Sequence, residues 1–296
     1  MRVKYIDAAK AVGIILMIIG HSICTMHEYT HVAGFIYSFH MPLFFIISGY
    51  FVKDNFQFNP WEKYGKAYLR PYVATAIVLL AAVVVAVLMD YIPKSDIVNY
   101  LVATIFVSGG VDDYAKFGNV YAIGPLWFLF SLFWSQIFYF YIRRYTSGLD
   151  RLSFILGLFA FGWLSSQYIR LPLSIQSGMC AVLFLEIGYR VHKYDIIDRT
   201  KSLSIFSALP LLLVYLIGWS KGQVTMSIAH YELPLFSITG SVIASVALLA
   251  LLKKVNIRGG IIGENTLYIL CGNELAFYFQ EKYGSIYYIV GESFIL

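Results

Sequence analysis

Three ionisable side chains lie on one face of an apolar segment near the start of the chain. Lys10 and His21 are eleven residues apart, and in a helix this separation leaves them only about 20° apart around the axis. Asp7 falls within about 60° of both. Ionisable groups inside a bilayer are costly, so they usually face a polar cavity or a partner. This stripe therefore indicates chemistry on, or movement of, a polar molecule within the membrane.

A second histidine, His40, reaches a similar depth from the opposite direction. With a rise of about 1.5 Å per residue, His21 lies about 16 Å and His40 about 14 Å inside opposite surfaces of a core about 30 Å thick. The loop between their helices is short, so the helices are expected to be antiparallel neighbours with the two histidines facing one cavity. Pro42 removes the amide that would bond the Ser38 carbonyl, and it favours a kink beside His40.

Imidazole titrates near neutral pH and is the usual general base for deprotonating a hydroxyl. We therefore predict His21 as the base and His40 as a second catalytic candidate. His40 could alternatively be only a hydrogen-bonding residue between helices. Asp7, also a catalytic candidate, lies about four turns from His21, so we assign it to pairing with Lys10, one turn away.

Further polar or aromatic candidates lie on later apolar segments. Asn273, Glu274 and Trp127 are expected to contact substrate, although the simplest interpretation of Trp127 is an aromatic residue of the membrane interface or of helix packing. Glu186 lies near a segment end and is interpreted as interfacial.

The composition predicts an all-α polytopic bundle of transmembrane helices. Of 296 residues, 59% are hydrophobic and 13% are charged, whereas soluble chains carry roughly 25% charged residues. Residues 1–296 are interpreted as one integral-membrane domain with about ten spans, and the first span is not read as a cleaved signal peptide. The predicted spans are Ile6–Thr25, Val32–Val52, Tyr72–Met89, Tyr121–Ile142, Leu152–Tyr168, Leu173–Tyr189, Leu203–Trp219, Leu233–Leu252, Ile261–Phe279 and a short final stretch, Ile286–Leu296.

The distribution of basic residues predicts a cytoplasmic N-terminus. If the short apolar run Ile97–Val107 does not cross the membrane, 17 of the 22 Lys and Arg residues fall in inner segments, as the positive-inside rule favours. If that run crosses, the residues divide evenly, so we interpret it as a surface-lying or re-entrant helix. The net charge of +5 is explained by membrane orientation and requires no nucleic acid. The three cysteines indicate neither a disulfide framework nor a metal site.

Several segments together resemble the acyltransferase-3 family of membrane acyltransferases, and are most similar to its fucose 4-O-acetylase-like branch. The similarity covers most of the chain in order. The segments that carry it are Tyr5–Lys10 with Gly20-His21, Phe35–Tyr50 with its His40-Met-Pro, Leu69–Tyr72, Gly124–Leu129, Leu171–Tyr189 and Ile262–Tyr268. Lys10 stands where many members have arginine, and Asn273 stands where the penultimate helix often has histidine.

The resemblance implies an O-acetyltransferase of the cell (plasma) membrane. It would move an acetyl group from cytoplasmic acetyl-CoA to a hydroxyl of a cell-surface or lipid-linked carbohydrate, without a metal. His21 matches the family's essential histidine, and Lys10, Lys66 and Arg70 would lie near the CoA phosphates. The acceptor's identity, the acyl chain and the oligomeric state stay open, as does the choice between direct transfer and an acetyl-His21 intermediate. A polar-substrate transporter or flippase using the same stripe is the alternative.

Overall fold

The computed structural model describes residues 3–25, 31–107, 109, 123–200, 205–221, 224–257 and 259–273. The predicted stretch Ile286–Leu296, the end of the predicted ninth span and Glu274 lie outside these residues. The described chain is helical apart from short connections and one two-stranded hairpin. Its helices are α1 (Lys4–Thr25), α2 (His31–Tyr50), α3 (Pro60–Tyr64), α4 (Arg70–Leu88), α5 (Ser95–Phe106), α6 (Trp127–Tyr145), α7 (Gly148–Ser166), α8 (Ile175–Lys193), α9 (Ile196–Arg199), α10 (Ile205–Lys221), α11 (Pro234–Val255) and α12 (Gly260–Glu264), followed by a helical stretch at 266–273.

The predicted all-α polytopic class is confirmed. Within the described residues, six helical segments are long and apolar enough to cross a membrane. The total number of spans and the cytoplasmic N-terminus stay predictions. The six segments are Lys4–Ser22, His31–Tyr50, Pro60–Leu88, Gly124–Tyr145, Gly148–Ser166 and Pro234–Val255.

Helices α1 and α2 are antiparallel neighbours. The Tyr5 hydroxyl near the start of α1 lies 2.8 Å from the Tyr50 hydroxyl at the end of α2. At the other end of the pair, Gly20 faces the Tyr37 ring. A Cβ added to Gly20 would lie 3.4 Å from Cζ of Tyr37. The close approach of the two helices brings the histidine-bearing parts of both to the same level.

Helix α8 packs against α2, α6 and α7 and so occupies the centre of the bundle. Two glycines make its crossing with α2 possible. A Cβ on Gly49 would lie 2.0 Å from the Leu185 carbonyl oxygen, and a Cβ on Gly188 would lie 2.0 Å from that of Ile46. Small residues let membrane helices approach backbone to backbone. Here a glycine on each helix lies directly against the backbone of the other helix.

The third long helix begins twelve residues before the predicted Tyr72. Asn59 caps it, accepting hydrogen bonds from the backbone N–H groups of Trp61 and Glu62 at 3.0 and 3.4 Å, and Pro60 occupies its first turn. A π-helical turn at Gly65–Leu69 joins α3 to α4 without interrupting the rod. A proline at the first helical position is favourable because it has no N–H to leave unpaired.

Two shorter elements complete the described fold. Helix α5 has 12 residues and is too short to be one of the candidate spans; the Tyr72 hydroxyl of α4 donates to the Thr104 carbonyl within it at 2.6 Å. Strands β1 (Val224–Thr225) and β2 (His230–Tyr231) pair antiparallel around a 3₁₀ turn. This hairpin follows α10 and was not predicted, because two-residue strands leave no periodic signal.

Candidate active site

Two cavities lie at opposite ends of the α1–α2 pair. The first, which we name the histidine pocket, has a volume of about 770 Å³ and is lined by His21 of α1 and His40 of α2 among others. The second, the basic pocket, has a volume of about 470 Å³ and is lined by Lys10 of α1 and by the end of α2. No residue in the described part of the chain lines both pockets.

His21 and His40 both contact the ring of Tyr37 in the histidine pocket. The Tyr37 ring centroid is 6.0 Å from that of His21 and 5.2 Å from that of His40. Nδ1 of His40 lies 2.9 Å from the Ile36 carbonyl oxygen. A carbonyl oxygen only accepts hydrogen bonds, so Nδ1 is assigned the proton and Nε2 of the neutral ring keeps the lone pair. His40 is therefore oriented to accept a hydrogen bond at Nε2.

Pro42 shapes the same turn of α2. It has no N–H, so the Ser38 carbonyl loses its partner within the helix. The Ser241 hydroxyl of α11 lies 2.5 Å from that carbonyl oxygen and donates to it. A neighbouring helix thus satisfies the carbonyl that the proline leaves open, as is usual for proline in membrane helices, and holds the turn that carries His40.

The hairpin supplies one wall of the histidine pocket through β1 and its 3₁₀ turn. It is attached to the α7 end of the molecule, where Ser166 donates to the Ala229 carbonyl at 3.1 Å and Arg170 donates to the Ile228 carbonyl. Tyr231 of β2 is buried, and this burial raises its pKa well above the ordinary value, so the phenol stays neutral. The wall is therefore anchored by polar contacts to the bundle.

Two tryptophans and a carboxylate also line the histidine pocket: Trp127, Trp219 and Glu232. Trp127 begins α6, directly after a 3₁₀ turn at Gly124–Leu126. Trp219, near the end of α10, makes an edge contact with the His31 ring, with centroids 6.4 Å apart. The sequence pointed to Trp127. Trp219 ends a predicted span, where nothing in the local pattern indicates which side of the helix faces a cavity, and Glu232 lies in the connection after β2, whose path could not be read from periodicity.

Cationic and aromatic side chains line the basic pocket. Lys10, Lys53, Lys63 and Arg143 supply positive charge, and the rings of Tyr64 and Tyr68 stack with centroids 6.3 Å apart and planes at 10°. Lysine and arginine side chains bind phosphate, and aromatic faces stack on planar rings. The pocket therefore suits an anionic ligand that carries a planar group.

The structure separates the predicted site residues. Asp7 lies 3.3 Å from Lys10, as expected, and lines neither pocket. Lys66 pairs with Glu62, and Lys66 and Arg70 are both exposed outside the two linings. Asn273 also lies outside both linings, and its buried Nδ2 has no hydrogen-bond partner among the described residues.

Glu186 is buried, in contrast to its interpretation as an interfacial residue. Its carboxylate accepts hydrogen bonds from the Tyr139 hydroxyl at 2.7 Å and from Arg190 Nε at 2.6 Å. The partner from α6 is 47 residues away in sequence, so the pairing could not be read from local spacing. Glu186 thus helps to hold α6 against α8 beside the basic pocket, which Tyr139 lines.

Aromatic packing lies between the two pockets. Phe44 of α2 is three residues from Met41, which lines the histidine pocket, and three from Ile47, which lines the basic pocket. Its ring lies 3.0 Å from where a Cβ on Gly13 would be, and its centroid is 5.8 Å from that of Phe128. These packed rings, which we name the aromatic partition, lie at the level of α2 between the residues that line the two pockets.

The fold and the two pockets define a polytopic membrane protein with polar sites enclosed between its helices. Residues 3–295 match the family model described as an acyltransferase domain, so the chain belongs to the acyltransferase-3 family. It is accordingly a membrane acyltransferase, and the predicted family is confirmed. Membership of the fucose 4-O-acetylase-like branch stays a prediction. No curated protein and no solved structure matches the chain.

Proposed function

We propose that this acyltransferase moves an acetyl group from acetyl-CoA, bound in the basic pocket, to a hydroxyl of a carbohydrate in the histidine pocket. The observation that carries the proposal is the position of the two pockets on the same helices. Lys10 lines the basic pocket, and Met17, seven residues further along α1, lines the histidine pocket. This is about 10 Å along the axis, a distance that the pantetheine arm of CoA is long enough to bridge.

The predicted orientation of α1 supports this assignment of the two ligands. With the N-terminus in the cytoplasm, the basic pocket opens toward the compartment that holds acyl-CoA. The histidine pocket then faces the side where cell-surface or lipid-linked glycans are found. Its tryptophans offer flat apolar faces for the C–H surface of a sugar ring, and its histidines, serines and Glu232 offer partners for hydroxyl groups. The proposed location is the cell membrane.

His21 is proposed as the general base. It takes the proton of the acceptor hydroxyl while that oxygen attacks the thioester carbonyl carbon. The tetrahedral intermediate then collapses, the C–S bond breaks, and the CoA thiolate leaves and takes up the proton from the His21 imidazolium. The products are an O-acetyl ester and free CoA, so atoms and charges balance without a metal or a redox partner.

Acetyl transfer from radiolabelled acetyl-CoA tests the proposal. Membranes that contain the protein and matched membranes that lack it are incubated with the label, and glycolipid and polysaccharide fractions are separated. We expect protein-dependent label in a glycan fraction, released by mild alkali as an ester is. An absence of label together with an absence of CoA binding to the purified protein would contradict the proposal.

Replacement of His40 by alanine is expected to lower kcat by about 100-fold, because its Nε2 is proposed to accept a hydrogen bond from the acceptor hydroxyl, and a side chain that handles the reacting proton contributes about 10²–10⁴-fold. The expected change is in kcat, measured with saturating acetyl-CoA and acceptor. Val32→Ala, at an exposed position of the same helix, is the control. An unchanged kcat in a folded His40→Ala protein would show that His40 only bonds within its helix.

Replacement of Trp219 by alanine is expected to raise the acceptor KM about tenfold and leave the KM for acetyl-CoA unchanged. The reason is that Trp219 lines only the histidine pocket, and loss of one stacking contact costs roughly 1–1.5 kcal/mol. Trp61→Ala removes an exposed tryptophan outside both pockets and serves as the control. A rise in the KM for acetyl-CoA instead would contradict the proposal that the histidine pocket binds the acceptor and the basic pocket binds acetyl-CoA.

A further inference from the structure

Arg143 is a buried cation whose hydrogen-bonding capacity is only partly used. Its side chain is 1% exposed and pairs with Asp54 through Nη2. Its Nε and Nη1 atoms are buried and have no hydrogen-bond partner among the described residues. Arginine carries five N–H donors and stays charged, and an unpaired buried donor costs free energy. The structure therefore leaves donors available at a residue that lines the basic pocket.

The guanidinium is held in a defined position by its neighbours. Its Cζ lies 3.7 Å from the Tyr189 ring centroid and 5.3 Å from that of Tyr139. The Tyr189 hydroxyl donates to the second oxygen of Asp54 at 3.0 Å. Asp54 thus connects the arginine to the aromatic residue on which it stacks. This arrangement orders the guanidinium before any ligand arrives, and preorganised groups lose less entropy on binding.

The charge around Arg143 favours an anion. Lys10, Lys53 and Lys63 line the same pocket, and Asp54 is the carboxylate that pairs with Arg143 itself. Arginine binds phosphate oxygens strongly through charge-assisted hydrogen bonds. We infer that Arg143 is a phosphate-binding residue of the basic pocket and that Nε and Nη1 donate to a phosphate of the acyl donor. This inference rests on the proposed donor, and it adds a residue on α6 that the sequence motifs did not indicate.

Equilibrium binding of radiolabelled CoA to the purified full-length protein in phosphatidylcholine nanodiscs tests this assignment. Arg143→Gln is expected to raise the Kd for CoA about 10–100-fold, the range expected for hydrogen bonds to a charged group. Arg144→Gln is the matched control, because Arg144 is the next residue and is exposed; its Kd should equal that of the wild type. Arg143→Lys keeps the charge and is the second variant if Arg143→Gln does not fold.

Acetyl-pantetheine, which lacks phosphate, separates binding from a structural role. Wild type and Arg143→Gln should use it equally well as a donor, whereas they should differ with acetyl-CoA. Equal losses with both donors would overturn the assignment and make Arg143 structural. Wild-type protein that binds no CoA would contradict the proposed donor itself, and CoA binding unaffected by the substitution would overturn the Arg143 assignment alone.

A lipid headgroup is the other possible source of phosphate. Repeating the titration in phosphatidylglycerol nanodiscs distinguishes it from the acyl donor. If Arg143 binds CoA, the difference between wild type and Arg143→Gln persists in both lipids. If the anionic lipid lowers CoA affinity only in the wild type, and Arg143→Gln equals the wild type in phosphatidylcholine, the site holds a lipid and the donor assignment is overturned.

Discussion

Replacement of His21 by alanine is expected to lower acyl transfer by at least about 100-fold, because general-base catalysis by histidine typically contributes 10²–10⁴-fold. His21 lines the histidine pocket next to Tyr37, and alanine removes the proton acceptor without adding bulk. The loss should appear in kcat, whereas the Kd for CoA should be unchanged because His21 is not part of the basic pocket. The measurement is steady-state transfer of radiolabelled acetyl groups, with CoA binding measured on the same preparation.

His192→Ala is the control for this experiment. It removes an exposed histidine of α8, whose ring contacts Tyr50 at a centroid distance of 4.4 Å and which lines neither pocket. Wild-type activity in His192→Ala with strong loss in His21→Ala would support the assigned role. Normal turnover by folded His21→Ala protein would contradict a catalytic role for that residue.

Replacement of Gly188 by alanine is expected to destabilise the protein by about 3 kcal/mol or more, and so to lower both its yield and its thermal unfolding midpoint. The new Cβ would lie 2.0 Å from the Ile46 carbonyl oxygen, so α2 and α8 would have to move apart along their shared crossing. Overpacking costs typically 1–3 kcal/mol and more where backbone must move, and most domains are stable by only about 5–15 kcal/mol. The measurement is the yield of monodisperse protein in detergent and its thermal unfolding midpoint.

Gly157→Ala is the matched substitution. Gly157 lies inside α7, and nothing lies within 4 Å of its Cβ position. The same change there should stabilise the helix by roughly 0.5–1 kcal/mol. A Gly188→Ala protein as stable as Gly157→Ala would show that the α2–α8 crossing is looser than its geometry indicates.

The part of the site on α1 and α2 could be predicted from sequence because it depends on short-range regularities. Helical geometry and rise per residue placed His21 and His40 at one level, and the short loop made their helices neighbours. The same geometry assigned Asp7 to Lys10 rather than to His21, which agrees with the 3.3 Å separation of Asp7 and Lys10. Likewise, Pro42 predicted an open Ser38 carbonyl, although its partner on α11 could not be known.

The basic residues that line the basic pocket were predicted less completely than the two histidines. The third span is predicted to begin at Tyr72, but the Asn59 cap and Pro60 begin the helix twelve residues earlier. Helical geometry leaves Lys66 and Arg70 exposed, while Lys63 lines the pocket. The positions of basic residues in the sequence do not show which side of this helix faces the cavity, because basic side chains lie on more than one side of it.

Arg143 and Glu186 could not be assigned from one sequence because their partners lie far away in the chain. Arg143 pairs with Asp54 at a separation of 89 residues, and Glu186 with Tyr139 at 47. By local pattern both are simply charged residues near a segment end, where the positive-inside rule or interfacial anchoring accounts for them. Both residues are buried because α6 packs against α8, which brings Tyr139 to Glu186 and Tyr189 to Arg143.

The aromatic partition at Phe44 has a consequence for the energetics of the cell as well as for the reaction. Each elementary charge that crosses a membrane dissipates about 2.3 kcal/mol per 100 mV. Water-filled cavities that joined through the bundle would let protons leak continuously down that gradient. Phe44 packs on Gly13 and beside Phe128, so apolar rings lie between the linings of the histidine pocket and the basic pocket, where such a continuous water path would have to run.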